Sequence, residues 1–430
     1  MTIILILFSV LILITVFGRL QCGSWLVPGV FYAVYWTVFS VIPFVVLGRE
    51  VPLNPLGFSW IIFVVLLGVV ISMVFSRYRN DYVESIDRKI FIYVQRRNVN
   101  INCVAVIVSV LLAYIPSLLT IIQHGFTLQS LFDFAAITEV GHTLSVERYN
   151  QLYREELFVR LLKHFIYIAP GIAAILYAVR QSKVTKVLVL LSFTPCLLWA
   201  MVQTTKASLV FALCIYLSWY FSVSLYLKKK QDVQSYFSLI KFLVSMLVLF
   251  FVFFITSAIR YKKFDLILIA ERLINAFTAQ LFLFSEWFAQ NWNQLQELTF
   301  GLYTFSGVYS LLTGYTRQGG LGYFTLSSMD LSSNIYTIHR GLIVDFHFVG
   351  ALMFWLILFF IASFSYHKIS ISLAVPHFHI LLLATSYSII LWSPITSFLT
   401  YNSLIVSSLV IYLFFFLLYR KELYGRRITV

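Results

Sequence analysis

Residues able to do acid–base or anion chemistry concentrate in a few short stretches of this 430-residue chain. The densest is Ser327-Ser328-Met329-Asp330-Leu331-Ser332-Ser333-Asn334-Ile335-Tyr336-Thr337-Ile338-His339-Arg340-Gly341, followed by Asp345-Phe346-His347. Asp345 lies inside an apolar run, where an ionisable side chain is costly and usually faces a polar interior. His339, Arg340 and Asp345 would then meet at the mouth of a cavity, two of them able to move a proton and one able to hold an anion. Arg340 and Asp345 are five residues apart, so they need not touch along one helix. A structural ion pair is the alternative reading. Glu286, between Ser285 and Trp287, is a further candidate carboxylate if partly buried, and otherwise a solvated one.

Other cations stand at the ends of apolar runs. Lys206 sits in Gln203-Thr204-Thr205-Lys206-Ala207-Ser208, a tight turn between two runs. It either snorkels at the membrane interface or binds an anion. Arg260, Lys262 and Lys263 follow in Ser257-Ala258-Ile259-Arg260-Tyr261-Lys262-Lys263. Cations at a helix C-terminus are favoured by the macrodipole, and that structural role competes with a binding one. Glu271 and Arg272 are adjacent, face different directions on a helix and do not form a pair. The stretch from Asp265 to Trp292 reads as an external amphipathic or re-entrant helix, because Glu271, Arg272, Asn275, Gln280 and Glu286 interrupt its apolar spacing.

Residues 301–341 differ again. Seven glycines break any helix, and Tyr303, Tyr309, Tyr315, Tyr323 and Tyr336 are interspersed. Tyrosine offers a flat apolar face with a polar edge, suited to a sugar ring or to the membrane interface. Glycine-rich backbone can present N–H groups to an anion. A phosphate-binding GxxxxGK[ST] loop is absent.

These stretches must be positioned by a strongly apolar chain. Hydrophobic residues make up 60% and charged ones 11%, where a soluble protein has about 25% charged residues. A soluble enzyme or a nucleic-acid-binding domain is excluded, and the formal charge of +14 is to be read against a membrane. Cys22, Cys103, Cys196 and Cys214 lie in or beside apolar runs without CxxC spacing, so neither a zinc site nor a disulfide framework is indicated.

The expected fold is an all-α polytopic membrane protein, a single integral membrane domain over 1–430. Eleven apolar runs are long enough for spans, near 2–18, 26–47, 59–76, 103–122, 163–179, 187–203, 207–227, 242–259, 342–365, 372–392 and 396–419. With eleven spans, Arg19, Lys368, the loops 77–102, 180–186 and 228–241 and the tail share one side. That side holds 19 of the 31 cations but five of the 17 acids, so it is expected to be cytoplasmic. The C-terminus is then inside and the N-terminus outside, with the first run retained as a span. Two long loops, about 123–162 and 260–341, fall on the external face.

Ser333-Asn334-Ile335-Tyr336-Thr337, then Asp345-Phe346 and Gly350, resembles the signature of the bacterial oligosaccharide repeat-unit polymerases, the Wzy-type O-antigen and capsule polymerases. The span layout, a large late external loop and the Thr204-Thr205-Lys206 turn are similar to that family too. His347 departs from it, since glycine is expected after Asp-Phe; histidine there adds a proton carrier and alters the backbone's freedom.

The resemblance implies a C-type membrane glycosyltransferase acting on undecaprenyl-diphosphate-linked oligosaccharides at the outer face of the bacterial plasma (inner) membrane, toward lipopolysaccharide O-antigen, capsule or exopolysaccharide. It implies metal-independent transfer with no cofactor, and a chain-length-regulating polysaccharide co-polymerase as partner. Negative charge develops on the departing diphosphate, and fixed cations stabilise it. Lys206, Arg260 and Arg340 would serve, with Tyr261 and Arg272 beside them. Asp345, then His339, then Glu286 are the candidate general bases. Asn334, Tyr336 and Thr337 would orient sugar hydroxyls or Arg340. A flippase or transporter of lipid-linked oligosaccharide is the rival class, although no internal repeat is seen. A lipid-linked glycan ligase differs only in its acceptor.

Overall fold

The structure is a computed structural model that describes residues 2–48, 51–77, 86–127, 129, 133–150, 156–227, 253–259, 265–293, 297–314, 324–326, 331–333, 337–372 and 375–419. Among these the chain is helical, apart from one short antiparallel ribbon of β1 (Phe324–Leu326) and β2 (Leu331–Ser333), with Thr325 opposite Ser332. Ten helices among the described residues are long and apolar enough to cross a membrane.

Nine of the ten match the expected runs: Thr2–Cys22, Pro28–Leu47, Pro55–Ser76, Val99–Gln123, Leu157–Val179, Lys183–Val202, Ala207–Leu227, Ile338–Ile371 and Asn402–Tyr419. The run at 372–392 forms a shorter apolar helix, His377–Trp392. Of the run at 242–259 only 253–259 is described, and it is helical. The tenth long helix is Leu266–Asn291, expected as an external amphipathic or re-entrant segment. It is one unbroken helix of 26 residues, about 39 Å long at 1.5 Å per residue. Its adjacent charges, Glu271 and Arg272, are exposed within its first two turns. From Leu273 to Asn291 the only charged residue is Glu286, so a span-length apolar stretch remains.

Although the composition reads as one membrane unit, the chain divides into two compact units, each assembled from separated segments. One comprises Met1–Glu84 with Ile274–Ile405, the other Ser85–Leu273 with Val406–Val430.

In the first unit, α1 (Thr2–Cys22), α2 (Pro28–Leu47) and α3 (Pro55–Arg77) pack on one another. Two later helices, Ile338–Ile371 and His377–Trp392, pack on them and on each other. Small residues bring the backbones together, as is usual where helices associate in lipid. A Cβ on Gly29 would lie 1.9 Å from the Gly68 carbonyl oxygen. The Gly29 N–H, an orphan of the first turn of α2, donates to Ser72 Oγ at 2.9 Å. Ser72 Oγ in turn bonds Ser363 Oγ at 2.9 Å, so one hydroxyl ties three helices.

In the second unit the most enclosed spans are Leu157–Val179 and Ala207–Leu227. A Cβ on Gly171 would meet Ile411 Cδ1 at 2.2 Å, which fixes the close approach of the C-terminal helix. Asn102 Nδ2 donates to the Tyr419 hydroxyl at 3.1 Å, and Ser407 Oγ to the His164 carbonyl at 3.1 Å. His124 and Glu147 pair at 3.1 Å and join Ile86–Gln123 to Phe134–Tyr149.

Candidate functional site

The helix Ile338–Ile371 opens on Thr337-Ile338-His339-Arg340. Its first N–H is anchored by Ile338 N donating to the Ser393 carbonyl at 2.9 Å. His339 is fully buried. Trp60 Nε1 donates to its Nδ1 at 3.2 Å, and its Nε2 lies 3.0 Å from the Tyr32 hydroxyl. An indole nitrogen only donates, so Nδ1 is an acceptor and the imidazole proton sits on Nε2, donating to Tyr32. Rings of Trp36, Trp355 and Phe284 close the cage, with centroids 5.2, 5.1 and 5.6 Å away. A second proton would set N–H against N–H at Trp60. Both nitrogens are thus engaged, and the ring is a structural link from α2 to α3.

Arg340, the next residue, is mostly buried and lies with Cζ 5.3 Å over the Trp287 ring. This is a cation–π contact, which leaves the planar edge of the guanidinium for hydrogen bonds. Thr337 holds the N-cap position, but its hydroxyl makes no cap bond, is fully buried and has no partner among the described residues. No acidic residue stands in the first turn. A cation thus occupies the positive end of a long helix, opposite to the arrangement the macrodipole favours.

Asp345, also fully buried, is held by a loop that precedes it in sequence by some forty residues. Thr299 Oγ1 donates to Oδ1 at 2.5 Å, Tyr303 N to Oδ1 at 3.1 Å and Thr304 N to Oδ2 at 2.6 Å. Phe300 N donates to the Asp345 carbonyl at 3.1 Å. The loop curls around the carboxylate through two left-handed residues, Phe300 at φ 49° and Gly301 at φ 91°. Through these bonds Asp345 positions the 299–304 loop, and among the described residues no hydrogen bond joins it to His339 or Arg340.

Two residues further on, His347 has φ 55° and ψ −175°, and the helix kinks there. That backbone region belongs almost entirely to glycine.

Glu286 is half-buried on Leu266–Asn291. Asn54 Nδ2 donates to one carboxylate oxygen at 3.2 Å and Gln290 Nε2 to the other at 3.0 Å. Gly57 lies against the backbone of Ser285, where a Cβ would come within 2.4 Å of Cα. Glu286 thus stands at the close contact of this helix with the start of α3.

Lys206 and Arg272 belong to the other unit. The helix Lys183–Val202 ends with Thr204 N donating to the Met201 carbonyl and Thr205 N to the Ala200 carbonyl, and Thr204 is left-handed at φ 48°. This is the closing turn in which glycine is usual. Gly141 of Phe134–Tyr149 packs beneath it, where a Cβ would lie 2.8 Å from Thr204 Cγ2. The turn sets Lys206 immediately before the helix Ala207–Leu227, whose first turn carries no acid. Burial pushes the Lys206 amine down from its ordinary 10.5 to about 8, and the nearby Arg272 charge adds to the shift.

Arg260, Tyr261, Asn334 and Tyr336 lie outside the described residues. Trp287, Trp60, Tyr32, Thr299 and Thr304, which shape these sites, carried no motif in the sequence. Among the described residues, no three His, Cys, Asp or Glu side chains gather where they could hold a metal ion. Comparison of the chain with protein-family models, with curated proteins and with solved structures gives no match.

Proposed function

We propose that this chain polymerises oligosaccharide repeat units carried on a lipid diphosphate, by metal-independent glycosyl transfer at the outer face of a bacterial plasma membrane. One observation carries the reading. Arg340 and Lys206 each stand at the N-terminal end of an apolar, span-length helix whose first turn has no acid. A helix N-terminus and a cation at the same end both attract an anion. Such positions at the ends of spans suit the diphosphate of a membrane-anchored lipid.

In this reading the anomeric C–O bond of the donor breaks, the lipid diphosphate leaves with the bonding pair, and an acceptor sugar hydroxyl forms the new bond. Arg340 stabilises the charge that develops on the departing phosphate oxygens. Glu286 takes the hydroxyl proton. Of the three candidate bases it is the one reachable from solvent, because His339 and Asp345 are fully enclosed. Trp287 stacks under Arg340 and fixes the guanidinium's direction.

The testing experiment is a surface-glycan gel from a strain lacking the chain, complemented with the wild type or with Arg340→Ala. A ladder restored by wild type alone, with a single repeat unit for the variant, supports polymerisation. Trapped inward-facing lipid-linked units point to a flippase, and unattached long polymer to a ligase.

A further inference from the structure

The stretch Leu298–Thr316 contains no Asp, Glu, Lys, Arg or His over 19 residues, between Glu297 and Arg317. An aqueous loop would rarely be so bare of charge. Its described part, 298–314, holds the Asp345-bound turn and a short helix, Ser306–Thr313. Its apolar side chains point outward: Phe300 is 66% exposed and Leu312 79%, with Leu298, Leu302 and Leu311 also exposed. Clustered exposure of this kind marks a surface that something apolar covers.

The backbone is prepared for a medium poor in water. Phe300 N, Tyr303 N and Thr304 N are all satisfied by Asp345, and Leu302 N and Phe305 N by the carbonyls of Thr299 and Gly301. The Phe300 carbonyl accepts from the Tyr309 hydroxyl at 2.8 Å, and the Tyr303 carbonyl from Thr400 Oγ1 at 3.1 Å. Side chains thus stand in for water at groups that a solvated loop would leave to solvent. Internal satisfaction is what the hydrocarbon boundary demands.

The patch also adjoins an exposed apolar face of a span-length helix. Phe305 contacts Phe346 and Phe354 edge-on, each with centroids 6.0 Å away. On that same helix Val349, Met353, Ile357 and Phe360 form an exposed apolar stripe at helical spacing.

We infer that residues 298–313 lie in the membrane interface, with Phe300, Leu311 and Leu312 inserted among bilayer lipids rather than projecting into water. Asp345 is then the group that makes the insertion possible, because it removes the N–H groups of the turn from solvent. The uncharged composition and Tyr309, whose ring suits the interface, favour lipid over a soluble partner. The inference is independent of the polymerase reading.

A nitroxide at Leu312→Cys, in the full chain reconstituted into phosphatidylethanolamine–phosphatidylglycerol vesicles, tests this through its collisions with oxygen and with a water-soluble nickel chelate. Wild type, whose four cysteines are buried or half-buried, sets the labelling background. The expected result is oxygen access exceeding chelate access, as at Val349→Cys and opposite to Glu297→Cys. Chelate access matching Glu297→Cys overturns the inference. Spin–spin broadening that disappears on dilution with unlabelled chain overturns it too, because a second copy would then cover the patch. Phe300→Cys gives the same reading if Leu312→Cys does not fold.

Discussion

Replacing Asp345 with Asn separates a carboxylate that holds a loop from one that moves a proton. Oδ1 accepts from Thr299 and Tyr303, and Oδ2 from Thr304. An asparagine can keep its oxygen at the Oδ1 position, but its NH2 then faces the Thr304 N–H, donor against donor. A hydrogen bond to a charged group contributes about 1.5–3 kcal/mol, and a buried donor left unmade costs about 1–3 kcal/mol. The variant should therefore lose about 2.5–6 kcal/mol from the folded turn, summing those two effects. Hydrogen–deuterium exchange of the purified protein, read by mass spectrometry over a peptide covering 299–305, measures this locally. Exchange of the Tyr303 and Thr304 amides should accelerate by about two to four orders of magnitude, at about 1.4 kcal/mol per decade. Unchanged protection would refute the argument, since it would mean that the carboxylate does not carry the turn. Asp345→Glu should be nearly as harmful, because the added methylene displaces the oxygens from both N–H groups.

Further predictions concern the backbone and the cations. His347→Gly relieves a conformation worth about 1–3 kcal/mol of strain, against about 0.5–1 kcal/mol of added chain entropy, so thermal unfolding should shift slightly upward. His347→Val should shift it down. Gly29→Ala places a methyl 1.9 Å from the Gly68 carbonyl oxygen, backbone against backbone. Its cost should exceed the about 1–3 kcal/mol usual for overpacking, and size-exclusion chromatography should show loss of monodisperse protein. Lys206 is charged below about pH 8 in the folded chain, so its attraction for an anion falls as pH rises through that value. Pyrophosphate binding by calorimetry should weaken between pH 7 and pH 9, roughly a tenfold loss of protonated amine per unit above the shifted value. Lys206→Arg should remove that dependence. Because the folded value is depressed, the charged amine costs stability at low pH, and that cost is relieved as pH rises from about 8 toward 10.5.

Much of the helical frame was legible because a membrane span is a one-dimensional signal: length and apolarity suffice, and nine runs correspond to long helices. Leu266–Asn291 was legible as a helix but not as one of span length, because Glu271 and Arg272 interrupt its apolar spacing, whereas in the structure they sit near one end of the helix, where charges reach the interface cheaply. The division into two units was not legible, since Ile274–Ile405 joins Met1–Glu84 through contacts that leave no compositional mark. At the site, the neighbourhood of His339, Arg340 and Asp345 was visible but their roles were not. His339 is defined by Tyr32 and Trp60, 307 and 279 residues away in sequence, and Asp345 by a turn 41 to 46 residues earlier. His347, where the resemblance alone called for glycine, has a positive φ that no other feature of the sequence signalled.

The most direct test of the proposed chemistry is the reaction itself. Purified chain in nanodiscs would be given undecaprenyl-diphosphate-linked oligosaccharide repeat units, with chelator present, and products read by mass spectrometry. The account predicts a lipid-linked dimer of the repeat and one free undecaprenyl diphosphate for each bond formed, both lost in Arg340→Ala and in Glu286→Gln at unchanged fold. Repeat units left intact by folded wild-type protein, or dimer formed equally by Arg340→Ala, would contradict it.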